Sequence, residues 1–215
     1  MTGGEVRVSL DGLELPGDLI VPAEPLGVVV FAHGSGSSRL SPRNRFVAGQ
    51  LHEAGLATLL FDLLTPAEEL DRANVFDIPL LGGRLLGAIR WLRERPETAA
   101  LALGAFGAST GAAAALWAAA EPEAEVAAVV SRGGRPDLAA ERLHAVRAPT
   151  LLIVGGADVV VLDLNHRALE LLRAEKQLAV VPGASHLFEE PGALEQVAAL
   201  ATEWLSAHLA PGRSA

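Results

Sequence analysis

The run Leu101-Ala102-Leu103-Gly104-Ala105-Phe106, then Gly107-Ala108-Ser109-Thr110-Gly111, then the alanine-rich stretch Ala112 to Ala120, is the segment from which the rest of the chain can be read. The uncharged apolar run predicts a buried strand, the alanine stretch a helix, and the five residues between them a tight turn. In that setting Gly-x-Ser-x-Gly presents a serine as a nucleophile elbow. The geometry explains the glycines. A serine on a sharp strand-to-helix turn holds strained backbone, and side chains two residues either side would collide with the neighbouring strand and helix.

Working outward, short β-branched or leucine-rich runs recur at Glu5 to Leu10, Leu13 to Val21, Gly27 to Ala32, Ala57 to Asp62, Val126 to Ser131, Thr150 to Val154 and Gln177 to Val181. With Leu101 to Phe106 they make eight predicted strands. Helical spacing appears between them at Arg43 to Ala54, Ile78 to Arg95, Thr110 to Ala120, Asp137 to Val146 and Leu164 to Ala174, and a last helix covers Ala193 to Leu209. This alternation predicts an α/β fold, a mostly parallel eight-stranded sheet with helices on both faces. The first two strands, linked around Asp11-Gly12, are expected to form an antiparallel edge hairpin. No repeat, linker or charge block divides the chain, so residues 1–215 read as one domain with a frayed tail from Ala210 to Ala215.

A chain of 215 residues is long enough to bury about 70% of the surface its unfolded form exposes. Seventeen basic residues against 26 acidic ones, net charge -9, argue against a nucleic-acid partner. The absence of cysteine excludes disulfides, thiolate catalysis and cysteine-ligated metal. Met1 to Leu10 alternates like a strand and carries no secretion signal. Thr98 to Ala120 has no charged residue, yet its glycines, Ser109 and Thr110 break it, and a buried strand with a buried helix gives the same apolarity as a membrane span. A cytoplasmic protein without membrane attachment is expected.

A serine nucleophile needs a base to take its proton and a carboxylate to hold the base. Asp158 follows the apolar strand ending at Val154, and His186 follows the strand ending at Val181, in the order nucleophile, acid, histidine. Both lie past the carboxyl ends of their strands, the edge where open α/β sheets collect ligands. Asp163 competes for the acid role but reads better as the N-cap of the next helix. Of the six histidines, His52, His166 and His208 fall in helices and His144 near a helix end, where structural roles suit them. Two backbone N–H groups should receive the oxyanion, one from Thr110 and one from the Gly/Ser-rich loop after the third strand, with Ser35 expected and Gly36 as its alternative. His33 reads as a brace for that loop. No Gly-Lys-Ser/Thr follows it, so it is not a phosphate cradle.

On these residues the whole chain, from the edge hairpin through His33-Gly34, the Ser109 elbow and Asp158 to His186, resembles the α/β-hydrolases of the dienelactone-hydrolase-like branch. The resemblance implies that Ser109 attacks an ester carbonyl, His186 serves as base and then acid, Asp158 orients it, and water releases the acyl group. Dienelactone hydrolases proper carry cysteine where this chain has Ser109.

Lids in this superfamily commonly follow the sixth strand, and here only Arg132 to Pro149 separates that strand from the seventh. No lid domain is therefore expected, and the site should be open and suited to short or medium acyl esters. Thioester or amide cleavage by the same residues is the alternative, as is a hydrolase fold kept only as a ligand-binding protein. Arg39, Arg43, Arg45, Arg132 and Arg135 cluster near the catalytic edge. Arg39 and Arg132 are candidates for holding a substrate anion. The commoner arrangement has such arginines pairing with Asp62, Asp77 or Asp137 to fix loops. No metal-ligand spacing and no cofactor motif is present, so a small-molecule ester is the expected partner. Trp91, Trp117 and Trp204 read as helix packing anchors.

Overall fold

The structure is a computed structural model that describes residues 1–10 and 12–210; Asp11 of the expected hairpin turn and the last five residues of the tail lie outside the described residues. Eight strands form one sheet: β1 (Thr2–Leu10), β2 (Leu13–Val21), β3 (Gly27–Ala32), β4 (Leu56–Phe61), β5 (Leu103–Ala108), β6 (Val126–Arg132), β7 (Thr150–Gly155) and β8 (Lys176–Val181), in the spatial order β1-β2-β4-β3-β5-β6-β7-β8. Strand β2 runs antiparallel to both β1 and β4, while every pairing from β4 to β8 is parallel.

Every residue of β3, β4, β5 and β7 is buried, as expected for strands covered on both faces. One face is covered by α1 (Pro42–Glu53) and α7 (Ala193–Leu209), which pack on Val29, Phe31, Phe106, Val130 and Ile153. The other is covered by α4 (Ile78–Arg93), α5 (Thr110–Ala119) and α6 (Val159–Leu171). Helix starts follow local chemistry. Ser41 accepts from the Asn44 N–H ahead of α1, and Asp77 accepts from the Leu80 N–H ahead of α4. Helix α5 is buried nearly all round, so it needs no polar stripe. Close packing is set by small residues: a Cβ on Gly82 would meet Trp117 Cε3 at 2.3 Å, so α4 and α5 approach only because position 82 is bare.

Three features depart from the reading of the sequence. Helix α6 begins at Val159, so Asp163 is no N-cap; it sits within the helix, exposed, and pairs with Arg167 at 2.7 Å one turn on. The β-branched run Val159-Val160-Val161 has low helix propensity, and of the three only Val161 is buried while Val159 and Val160 are exposed. Residues Pro136–Ala145 form 3₁₀ turns with a break at Ala139 in place of the expected α-helix. Two short helices, α2 (Pro66–Glu69) and α3 (Arg72–Phe76), occupy a segment to which the sequence assigned no element. The uncharged stretch Thr98 to Ala120 is accounted for by β5 and α5, and no helix among the described residues is long and apolar enough to cross a membrane.

Candidate active site

Ser109 sits between β5 and α5 with φ at +52°, in the left-handed region that a non-glycine residue adopts only when its surroundings enforce it. A Cβ on Gly107 would lie 2.4 Å from Ala112 Cα, and one on Gly111 2.2 Å from the Ala32 carbonyl oxygen. Both glycines are thus required by backbone passing within contact distance. The turn is pinned to β6 and its following loop, because the Ser109 N–H donates to the Arg132 carbonyl at 3.1 Å and the Arg135 N–H donates to the Ser109 carbonyl at 3.1 Å.

Asp158 and His186 meet across the ends of β7 and β8. Gly155 lets these two turns touch, since a Cβ there would be 2.3 Å from the Ala184 carbonyl oxygen, and the Ala157 N–H donates to that same oxygen at 3.0 Å. Asp158 stands at the N-cap of α6, yet its carboxylate makes no capping bond. Its Oδ2 instead lies 2.7 Å from His186 Nδ1. An ionised carboxylate accepts only, so Nδ1 carries the proton and Nε2 keeps its lone pair. Gly133 joins the two halves: it directly follows the residue bonded to Ser109, and a Cβ there would contact His186 Cε1 and Nδ1 at 3.5 Å. Among the described residues no hydrogen bond joins Ser109 Oγ to His186, and that contact is the link left open in this structure.

The loop after β3 passes against the serine, because a Cβ on Gly34 would be 2.9 Å from Ser109 Cβ. Thr110 is the first residue of α5, and its N–H therefore has no partner within the helix and points along the positive end of the helix dipole. The Ser35 N–H donates to Thr110 Oγ1 at 2.9 Å, a bond the motif does not announce. Gly36 next to it has φ at +67°. His33 is buried and clamped: the Leu63 N–H donates to its Nε2 at 3.0 Å, so the proton sits on Nδ1, which donates to the Gly34 carbonyl at 3.1 Å. Burial pushes this imidazole below its ordinary value of 6.5, and it serves as the expected brace.

Beside the loop lies a cavity of about 590 Å³ that includes Ser35, Gly36 and Thr110. Its apolar wall comes from Leu63, Leu64 and Leu81 and from Val75 and Phe76 on the α3 segment. The cover therefore comes after β4, whereas the stretch after β6 supplies only 3₁₀ turns. Helices α2 and α3 bury none of their own residues. They are fastened by the Glu68–Arg84 ion pair at 2.7 Å and by a capping box in which Thr65 and Glu68 exchange bonds. Burial alone would raise the Glu68 carboxyl, but the Thr65 amide and hydroxyl and Arg84 outweigh it and hold it below its ordinary value.

The arginines separate by environment. Arg39 is engaged by carboxylates: its backbone N–H donates to Asp62 Oδ1 at 2.7 Å and its Nη2 to Glu5 at 3.1 Å, which anchors the end of the loop after β3. Arg135 pairs with Asp137, as expected. Arg43 pairs with Glu189 and Arg45 with Asp18, carboxylates distant in sequence, while Asp77 caps α4. Arg132 is buried with no carboxylate partner among the described residues. No cluster of histidines and carboxylates able to hold a metal occurs among the described residues.

The sequence profile of the dienelactone hydrolase family matches residues 16–209. A crystal structure of dienelactone hydrolase from Anabaena variabilis superposes with a TM-score of 0.93 at 57% identity, covering 97% of this chain and 98% of that one. The esterase domain of a Rhodothermus marinus protein shares the fold, with a TM-score of 0.77 at 20% identity over 97% of this chain and 99% of that one. Proteins of two Mycobacterium tuberculosis strains, named as proposed phosphoribosyl transferases, are 63% identical over 211 residues. That match takes in 98% of this chain but 48% of theirs, so the chain spans about half the length of these curated relatives. Family and fold together support hydrolase chemistry. With the match running from β2 to the end of α7, the chain belongs to the dienelactone hydrolase family.

Proposed function

We propose that the protein is a serine hydrolase that cleaves carboxylic esters of short to medium acyl length through an acyl-enzyme. The observation that carries this reading is the 2.7 Å bond from His186 Nδ1 to Asp158, on a loop that Gly133 ties to the Ser109 elbow. Nε2 takes the Ser109 proton as Oγ adds to the ester carbonyl. The resulting oxyanion accepts from the Thr110 N–H and from a second donor at Ser35 or Gly36. If Ser35 is that donor, its N–H exchanges Thr110 Oγ1 for the oxyanion. His186 then gives its proton to the leaving alcohol, and the same base activates water to release the acid and restore Ser109. The cavity of about 590 Å³ favours a compact acyl or alcohol group over a long lipid chain.

Phosphoribosyl transfer belongs by name to relatives whose remaining length lies outside the match, and the Ser109, His186 and Asp158 arrangement favours hydrolysis for the part compared. The test is turnover of p-nitrophenyl acetate, butyrate and octanoate beside Ser109→Ala, with fluorophosphonate labelling read by intact mass. We expect one adduct and faster turnover of the two shorter esters in the wild type, with adduct and turnover both lost in a folded Ser109→Ala protein. A folded wild type that neither turns over nor labels refutes the reading.

A further inference from the structure

Four consecutive residues at the end of β6 carry the contacts that bring Ser109 and His186 together. The Arg132 carbonyl and the Arg135 N–H hold the two sides of the Ser109 turn, and Gly133, which lies against the His186 ring, donates its N–H to the Ile153 carbonyl of β7 at 2.8 Å. Gly134, the remaining residue, is hemmed in. A Cβ there would lie 2.0 Å from Ser131 Oγ and 2.6 Å from Ala112 Cβ, and its carbonyl accepts from Asn165 Nδ2 at 3.0 Å.

Asn165 reaches this loop from α6. It is wholly buried, and the same Nδ2 donates to the Val161 carbonyl one turn back at 2.8 Å. Both partners are carbonyls, so the atom that faces them is the NH2 group of the amide. Its Oδ1 is left enclosed and without a partner among the described residues, an arrangement that costs stability. What the amide gains for that cost is a connection. Asp158 is the N-cap of α6, and Asn165, seven residues on, lies two turns along the same side of the helix. One helix therefore carries both the carboxylate that holds His186 and the amide that holds the loop bonded to Ser109.

Resting on the esterase reading, we propose that Asn165 is a positioning residue for the reaction: its bond to Gly134 locks α6, with Asp158 and His186, against the Ser109 elbow and so sets how His186 Nε2 meets Ser109 Oγ. Asn165 takes no part in proton transfer. Its effect is on the alignment of the attack, whose rate falls steeply with small displacements of the reacting atoms. Without the bond the Gly134 loop is free to shift against α6, while the bond between Asp158 and His186 stays intact.

Two variants separate the loop bond from the bond within the helix. Asn165→Ser keeps a hydroxyl that can bond back to the Val161 carbonyl but is too short to reach Gly134, and Asn165→Leu removes both bonds. Thr98→Val is the control: the buried Thr98 Oγ1 donates to the Leu92 carbonyl at 2.6 Å, ahead of β5 and so at the opposite end of that strand from Ser109. Turnover of p-nitrophenyl butyrate, the rate of fluorophosphonate labelling and the thermal midpoint are measured for each protein, with rates taken at a temperature where all are folded. Both Asn165 variants are expected to lose about tenfold to a hundredfold in kcat and in labelling rate, with KM within about threefold of wild type. The pH at which kcat/KM is half-maximal should not move, because Asp158 still holds Nδ1. Thr98→Val should lower the midpoint and leave both rates unchanged. Rates in Asn165→Ser equal to wild type, or a rate loss that Thr98→Val shares, overturn the proposal. Should Asn165→Leu not fold, Asn165→Ser alone decides. A wild type that turns over and labels while Asn165→Ser matches it removes the positioning role only, whereas a folded wild type that does neither refutes the esterase reading itself, and this role with it.

Discussion

Thr110 does more at the elbow than its place in Gly-x-Ser-x-Gly suggests. Its hydroxyl, buried with the rest of the side chain, accepts the Ser35 N–H and so ties the loop after β3 to the start of α5. In Thr110→Val that amide loses its partner, and we expect kcat to fall by about tenfold to a hundredfold, with stability lower by about 1–3 kcal/mol; steady-state kinetics and urea unfolding read the two effects. Asp158→Asn should leave the fold intact and lower kcat by about four orders of magnitude, because an amide can no longer dictate which imidazole nitrogen holds the proton. A kcat within about tenfold of wild type would remove Asp158 from the proposed chemistry. The elbow and the acid and histidine at successive strand ends were legible because chemistry constrains residue type and chain order together. The Thr110 hydroxyl was not, since a side chain bonding to an amide 75 positions away leaves no local pattern. Asp163 misled for a related reason: Asp158 occupies the N-cap position but turns its carboxylate to His186, so the signal of a helix start was sought five residues too late.

Strand and helix cores were legible wherever burial was complete, as in β3, β5 and β7, since a fully enclosed strand admits only apolar residues and a central helix only small ones. What escaped was the cover. Helices α2 and α3 each have fewer than two turns and bury no residue, so they carry no periodicity to read. Their order rests on the Thr65–Glu68 capping box and the Glu68–Arg84 pair. Glu68→Gln should therefore loosen the cover, raising KM for butyrate esters with little change in the global unfolding midpoint; an unchanged KM with a lower midpoint would show the pair to be a purely structural tie. The glycines of the elbow make an opposite kind of prediction. Gly111→Ala places a Cβ against backbone that cannot move aside, and a loss of about 3 kcal/mol or a failure to fold is expected, measured by thermal unfolding of purified protein.

At the scale of the whole molecule, acid stability follows from two imidazoles. Burial lowers both His33 and His52 from the ordinary 6.5. The unfolded chain therefore takes up protons below about pH 6.5 that the folded chain refuses, and stability, complete above that pH, declines as pH drops toward the folded values. Urea midpoints measured from about pH 7 to about pH 5 should fall, and the slope should be shallower in His33→Gln even though that protein starts less stable. A slope unchanged by the substitution would assign the acid loss to other groups. Globally, the parallel order of the sheet could be inferred from the alternation of strands and helices, whereas the division of labour across its edge emerged only from the fold. Ser109, Asp158 and His186 come from strand ends β5, β7 and β8, while the cover that shapes the cavity is inserted after β4, between a strand and a helix whose ends are already held by His33 and Asp77. Residues 65–77 can for that reason be exchanged as a unit: on the proposed function, swapping this segment between family members should transfer acyl preference while leaving the Ser109, Asp158 and His186 arrangement in place, so that substrate range and chemistry diversify independently.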